Sequence, residues 1–302
     1  MRGLAALFVV VAHALSFNIP ETASAAQGIF STGWIADRAL YQMVDAAIIV
    51  SRYAVVLFIV LSGCSLMLPV ARSEEGNLPG GLRNYIMRRA RRILPPYYAT
   101  LTISLLLLAV VPALDDPDLW GAVPAFDLDV LISHVLLVHN WSPEWAYRIN
   151  PPLWTIPVEW QIYFLFPILL LPLWRRFGEL VTVAIGFAIG IGLYVLIGPD
   201  RLVQSAPWFL GLFALGMMAA SFAYRYERRK RWRRVWLPGV VAALLVLFVI
   251  VAGAVRAGGI DFEVAGWATD IIFGAAVAVF IVHLGRVAAA ENVLLGDREG
   301  WS

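Results

Sequence analysis

The chain has 302 residues, of which 61% are hydrophobic and only 15% charged. Soluble globular chains are roughly a quarter charged, so the composition excludes an ordinary soluble domain and points to a lipid-embedded one. The formal net charge of +2 gives no sign of a nucleic-acid partner, and the single cysteine, Cys64, excludes an internal disulfide.

The first apolar stretch, about 3–20, carries Arg2 and His13. Eleven residues are roughly three helical turns, which puts both side chains on one face, about 16 Å apart along the axis. Arg2 then sits at a membrane surface and His13 near mid-bilayer. An ionisable group at that depth is either functional or a hydrogen-bonding tie between helices. No small-residue cleavage site follows, so the stretch reads as a span rather than a signal peptide.

A second span is expected at about 48–70. Within it, Leu57 to Cys64 contains Ser62 and Gly63. These small residues suit close helix packing more simply than catalysis by Ser62. Next comes Arg83-Asn84-Tyr85-Ile86-Met87-Arg88-Arg89-Ala90-Arg91-Arg92-Ile93-Leu94-Pro95-Pro96-Tyr97-Tyr98, five arginines leading into a third span at about 96–113. The cluster is either a topology anchor on anionic lipid or a surface for a phosphorylated cytosolic ligand, since guanidinium forks grip phosphate oxygens.

The piece at about 128–141 contains His134, His139 and Asn140, and its length suggests a re-entrant or interfacial segment. Five residues separate the two histidines, which places them on different faces of a continuous helix. A metal pair is therefore not expected, and no zinc pattern occurs elsewhere. The stretch Asn150-Pro151-Pro152-Leu153-Trp154-Thr155-Ile156-Pro157-Val158-Glu159-Trp160-Gln161-Ile162-Tyr163 then opens a span at about 155–174. Pro157 suits a first helical turn, and Glu159 and Tyr163 share a face. Glu159 either complements the helix dipole or faces the bundle interior and orients or charges a histidine. Further spans are expected at about 179–198, 204–223, 235–255 and 266–284. The run Arg225 to Arg234 reads as a topology anchor.

Charge placement decides the topology. If 128–141 does not cross, Arg2, Arg72 to Arg92, Arg175, Arg176, Arg225 to Arg234, Arg286 and Arg298 fall on one side. Only Arg38, Arg52, Arg148, Arg201 and Arg256 face the other. That is a strong positive-inside pattern. The expectation is an all-α, polytopic transmembrane helix bundle of about eight spans plus one re-entrant or interfacial segment, with a cytoplasmic N-terminus.

In order along the chain, these stretches resemble the integral membrane acyltransferases of acyltransferase family three, bacterial enzymes that O-acylate cell-surface sugars and related acceptors. Arg2 to His13 resembles the family's opening Arg-Gly-x-Ala-Ala with its later His. Phe58 to Gly63 resembles its Phe-Phe-x-x-Ser-Gly, with Ile59 in place of the second Phe. Arg88 to Tyr97 resembles its Arg-Ile-x-Pro stretch. Trp154 to Tyr163 resembles its Trp-Ser-x-x-x-Glu-x-x-Tyr, with Thr155 in place of Ser. Pro207-Trp208-Phe209-Leu210-Gly211 resembles a later Pro-x-Phe-x-x-Gly.

The resemblance covers nearly the whole chain and implies one membrane acyltransferase domain over 1–302. The family usually has about ten spans and residues before the position of Arg2, so the domain is expected to be truncated at both ends. It also implies acyl-CoA as a cytoplasmic co-substrate, no bound cofactor or metal, and a carbohydrate or glycolipid acceptor bearing the hydroxyl. Arg2, Arg88, Arg89, Arg91 and Arg92 are expected to meet the CoA phosphates. His13 is expected to act as general base with Glu159 holding its tautomer, or to form an acyl-histidine. The competing class is a membrane transporter or a polysaccharide-export subunit, in which intramembrane His, Arg and Glu mark a transport path. Oligomeric state is not legible.

Overall fold

The computed structural model describes residues 36–73, 76–110, 127–228, 236–256 and 262–299. The expected first span, with Arg2 and His13, lies outside them. The described chain is helical, with no strand among the described residues. Long apolar runs with few charges leave the backbone no partner but itself in lipid, and the helix is the open-chain solution to that constraint.

The helices are α1 (Ala36–Arg72), α2 (Gly81–Val110), α3 (Leu128–Val135), α4 (Pro143–Ala146), α5 (Thr155–Leu165), α6 (Leu171–Phe177), α7 (Glu179–Ile197), α8 (Pro199–Leu202), α9 (Phe209–Arg228), α10 (Leu237–Arg256) and α11 (Phe262–Glu299). Among the described residues, six apolar helical stretches are long enough to cross a bilayer: Arg52–Arg72, Gly81–Val110, Pro151–Phe177, Glu179–Ile197, Leu237–Val255 and Gly266–Ala288. They coincide with six of the expected spans. The stretch expected at 204–223 is a shorter apolar helix, Phe209–Tyr224. Its start is delayed because Ala206 takes a positive φ of 39° and Pro207, which follows it, has no N–H to donate. Two prolines, Pro95 and Pro96, lie inside α2 without ending it. Between α5 and α6 the helix widens into a π-type turn at Phe166–Leu170, with Pro167 at its start.

The expectation that 128–141 does not cross is met. Its helix, α3, is 8 residues long, about 12 Å, against a hydrocarbon core of about 30 Å. Leu136 ends it, Leu137 reverses direction with φ 54°, and a single 3₁₀ turn follows at His139–Trp141.

The chain divides into two compact units. The first comprises residues up to Val55, Arg88–Gln161 and Asp200–Ser205. Its core gathers Tyr97 and Leu101 of α2 with Val130, Leu137, Ile149 and Leu153. The second comprises Val56–Met87, Ile162–Pro199 and Ala206 onward. Here α1 crosses α9 at a pair of glycines. A Cβ on Gly63 would meet the Phe213 carbonyl, and one on Gly216 would meet the Val60 carbonyl. Only glycine lets these backbones approach so closely, which bears out the packing reading of the Ser62-Gly63 pair. Around this crossing, Phe166 packs between Tyr85 and Phe213 at ring distances of 5.7 and 5.6 Å. On the outer side of this unit, α10 exposes Val246, Val249 and Ile250, as a lipid-facing helix does.

Candidate functional site

The first unit builds its polar centre from the segment that does not cross. Its placement follows from one bond: the Tyr97 hydroxyl of α2 donates to the His134 carbonyl at 2.7 Å. Tyr97 lies thirteen residues from Val110, the end of α2, which is about 20 Å of helix, and only five residues, about 8 Å, from Arg92. The tip of the segment therefore reaches deep along α2, toward its arginine end. The neighbouring Tyr98 hydroxyl donates to the Val135 carbonyl at 2.8 Å. Nearer the end of α2, the Asn150 amide donates to Ser104 Oγ at 2.9 Å. These contacts run along α2 as a re-entrant excursion would.

The return from the tip is locked to the start of α5. Gln161 and Asn140 exchange amide hydrogen bonds: Gln161 Nε2 donates to Asn140 Oδ1 at 2.9 Å and Asn140 Nδ2 donates to Gln161 Oε1 at 3.3 Å. Gln161 Nε2 also donates to the Leu137 carbonyl at 3.1 Å, and Trp141 Nε1 donates to Gln161 Oε1 at 3.1 Å. Ser205 Oγ donates to the Asn140 carbonyl at 2.7 Å. Asn140 is fully buried, so its own bonds to Gln161 and Ser205 replace the water that its position excludes. Two non-glycine residues of the segment, Leu137 (φ 54°) and Ile149 (φ 65°), are held in the left-handed region. Their burial in the unit's core accounts for the tolerance of that conformation.

Within this frame the two histidines meet, contrary to the expectation from their spacing. Their rings stack at 3.9 Å with 2° between planes, and both residues are fully buried. The expectation failed because it assumed a continuous helix, whereas the reversal at Leu137 folds His139 back over His134. Tyr97 extends the stack, its ring nearly parallel to His139 at 6.3 Å. His134 Nδ1 donates to the Val130 carbonyl at 2.8 Å, and His139 Nε2 donates to the Leu153 carbonyl at 3.3 Å. Burial pulls both rings below the ordinary histidine range. His139 is lowered to about 3, by burial first and then by the adjacent His134, against the opposing carbonyls of Leu153 and Ser133. For His134, the carbonyls of Val130 and Arg148 oppose the effect of burial. Both rings are neutral at physiological pH.

The residues singled out in the sequence fall as follows. Glu159 is buried in the first turns of α5, 7% exposed, two residues before Gln161. Arg88, Arg89, Arg91 and Arg92 are helical, on α2, and at 100° per residue they span an arc of about 160°. Arg88, Arg91 and Arg92 are exposed and Arg89 is half-buried. All five of these residues belong to the first unit. Arg2 and His13 lie outside the described residues.

Two features escaped the sequence reading. One is the histidine stack. The other is Asp270 of α11, fully buried in the second unit, where Trp208 Nε1 donates to its Oδ2 at 2.9 Å. A lone carboxylate inside an apolar run was the available signal. In the same unit, Gly190 and Gly211 bring α7 and the Pro207–Gly211 stretch together: a Cβ on Gly190 would stand 2.7 Å from the Trp208 Cα, and one on Gly211 would enter the Phe187 ring.

A family model described as an acyltransferase domain, that of acyltransferase family 3, matches residues 1–290. The chain belongs to acyltransferase family 3. No curated protein and no solved structure matches the chain. This acyltransferase is thus a multi-pass membrane enzyme that transfers acyl groups. Its family membership spans both units, including the re-entrant segment and the α5 helix that it grips.

Proposed function

We propose that this acyltransferase moves an acyl group, acetyl by expectation, from cytoplasmic acyl-CoA to a hydroxyl of a surface polysaccharide, lipid-linked sugar or similar acceptor. It does so in the bacterial cytoplasmic membrane with its N-terminus in the cytoplasm. The observation that carries this reading is the family match over residues 1–290. The lopsided distribution of arginines supports the orientation.

In this reading Arg88, Arg89, Arg91 and Arg92 hold the CoA phosphates by bidentate charge-assisted bonds, and Arg2 joins them from the first span. His13 takes the proton of the acceptor hydroxyl. The oxygen attacks the thioester carbonyl carbon, the C–O bond forms, the C–S bond breaks, and the proton returns to the departing thiolate to give free CoA. An unperturbed histidine has the pKa for such a base near neutral pH. Glu159 fixes the tautomer of His13. Support for a role of Glu159 beyond the helix dipole is its burial near the opening of a span, in the same unit as the arginine cluster.

Incubation of the purified protein with labelled acetyl-CoA tests the proposal. Acyl transfer to an added saccharide, or thioester hydrolysis that His13→Ala abolishes, supports it. A protein that binds acetyl-CoA yet neither transfers nor hydrolyses it, with any saccharide pool from a bacterial envelope, refutes it.

A further inference from the structure

The mouth of the re-entrant excursion carries a surface that the proposed chemistry does not use. Asp129 stands in the first turn of α3, and Trp145 of α4 donates Nε1 to its Oδ2 at 3.0 Å, so the returning chain comes back to the level at which it entered. Five residues of α3, about 8 Å, separate that level from His134 near the tip. The helix α4 packs on the His139–Trp141 turn, and Val203–Ser205 packs on both. All of these residues belong to the first unit.

Two large aromatic side chains stand out from this corner, Trp141 at 58% exposed and Tyr147 at 47%. Their polar tips are not what they offer outward. Trp141 Nε1 donates to Gln161 Oε1 at 3.1 Å, and the Gln204 side chain holds the Tyr147 hydroxyl. In an aromatic belt at a membrane surface the tip is the wet end and the ring sits in lipid. Here the tips turn to the protein and the ring bodies are left outside. They stand among exposed carboxylates, Asp129 and Glu144, which are costly against hydrocarbon. Apolar surface pinned in that way beside charges marks a place where something binds. A sugar ring fits it: a pyranose has a face of C–H groups for the aromatic rings and a rim of hydroxyls that donate to carboxylates. A lipid tail offers the carboxylates nothing. We propose that Trp141 and Tyr147 form a platform for a saccharide, the acceptor, with Asp129 and Glu144 accepting from its hydroxyls. The two rings need not converge on one point, because successive units of an oligosaccharide can lie on successive rings. That the saccharide is the acceptor rests on the function proposed above; that the surface holds a saccharide does not.

An array of bacterial envelope saccharides, from disaccharides upward, probed with the full chain in fluorescent nanodiscs, tests the site. The expected result is binding of at least one saccharide, weakened about two- to tenfold by Trp141→Leu or by Tyr147→Leu, the range that loss of one aromatic contact implies. Trp141→Phe and Tyr147→Phe lose the same tip bonds but keep a ring, and should hold the saccharide nearly as well as the parent. That comparison separates lost stacking from lost folding. Trp236→Leu, which removes an aromatic side chain 76% exposed elsewhere in the chain, should change nothing. If no saccharide is held, the rings are a membrane belt and the proposal falls. It falls equally if the Leu variants bind as tightly as the parent, if the Phe variants lose as much as the Leu variants, or if Trp236→Leu weakens binding as much. Binding needs no turnover, so a saccharide held without acyl transfer would sink the proposed function and leave this site standing. Acyl transfer with the acceptor KM unaltered in both Leu variants would do the reverse.

Discussion

Gly63→Ala is the sharpest test of the packing in the second unit. A Cβ at that position would stand 2.9 Å from the Phe213 carbonyl carbon and 3.2 Å from the Met217 nitrogen, and closer still to the Phe213 oxygen. All three are backbone atoms of α9, so no side chain can swing away and the two helices must part. Gly216 approaches α1 reciprocally, with the Cys64 nitrogen 2.8 Å from the added carbon. Separation would loosen Ile59, Val60, Leu212, Phe213 and Met217, all almost fully buried. Overpacking of this kind costs about 1–3 kcal/mol. The helix-propensity gain from replacing glycine with alanine offsets roughly 0.5–1 kcal/mol of that. Gly192→Ala is the control, because an added Cβ there meets nothing within 4 Å. Unfolding in mixed micelles should therefore show Gly63→Ala destabilised by about 1–2 kcal/mol net and Gly192→Ala neutral or stabilised. Equal behaviour of the two variants would refute the close crossing.

Four further outcomes are expected. Gln161→Leu removes the bonds to Asn140, Leu137 and Trp141 and should lower stability by about 2–3 kcal/mol; an unchanged melting temperature would mean the α5 lock is not formed. Stability should depend on pH through the histidine stack. Both folded-state pKa values lie below the unfolded value of about 6.5, so the unfolded chain binds more protons at acid pH. Stability is then complete above about pH 6.5 and falls toward pH 3, by up to about 1.4 kcal/mol per unit for each titrating ring. The comparison is with the His134→Phe/His139→Phe chain, and identical pH profiles for the two proteins would remove the stack as the cause. Single changes of Arg88, Arg89, Arg91 or Arg92 to Ala should each raise the donor KM by about two- to fivefold, with larger effects at low salt; four variants with unaltered donor KM would leave the cluster as a topology anchor. His13→Ala should reduce acyl transfer by about 10²–10⁴-fold, and retention of most activity would exclude it as the base.

The sequence by itself determined the helical class, most of the spans and the exclusion of 128–141 from crossing. These are local or summed properties: hydropathy over a window decides whether a helix is stable in lipid, and the side on which each arginine falls decides the topology. Family motifs were legible for the same reason, being short runs in a fixed order. Only the tertiary structure decided which side chains meet. The spacing of His134 and His139 predicts separation on a helix; Leu137, buried with a left-handed backbone, turns the chain and stacks the rings instead. Gln161 looked like an ordinary polar residue until its amide was seen paired with Asn140, twenty-one residues earlier. Gly63 was legible as a small residue, but that Gly216 answers it across the crossing was not. Neither was the bond between Trp208 and Asp270, sixty-two residues apart. Such contacts depend on how helices and reversals place distant residues in three dimensions, and periodicity along one element carries no information about its neighbour.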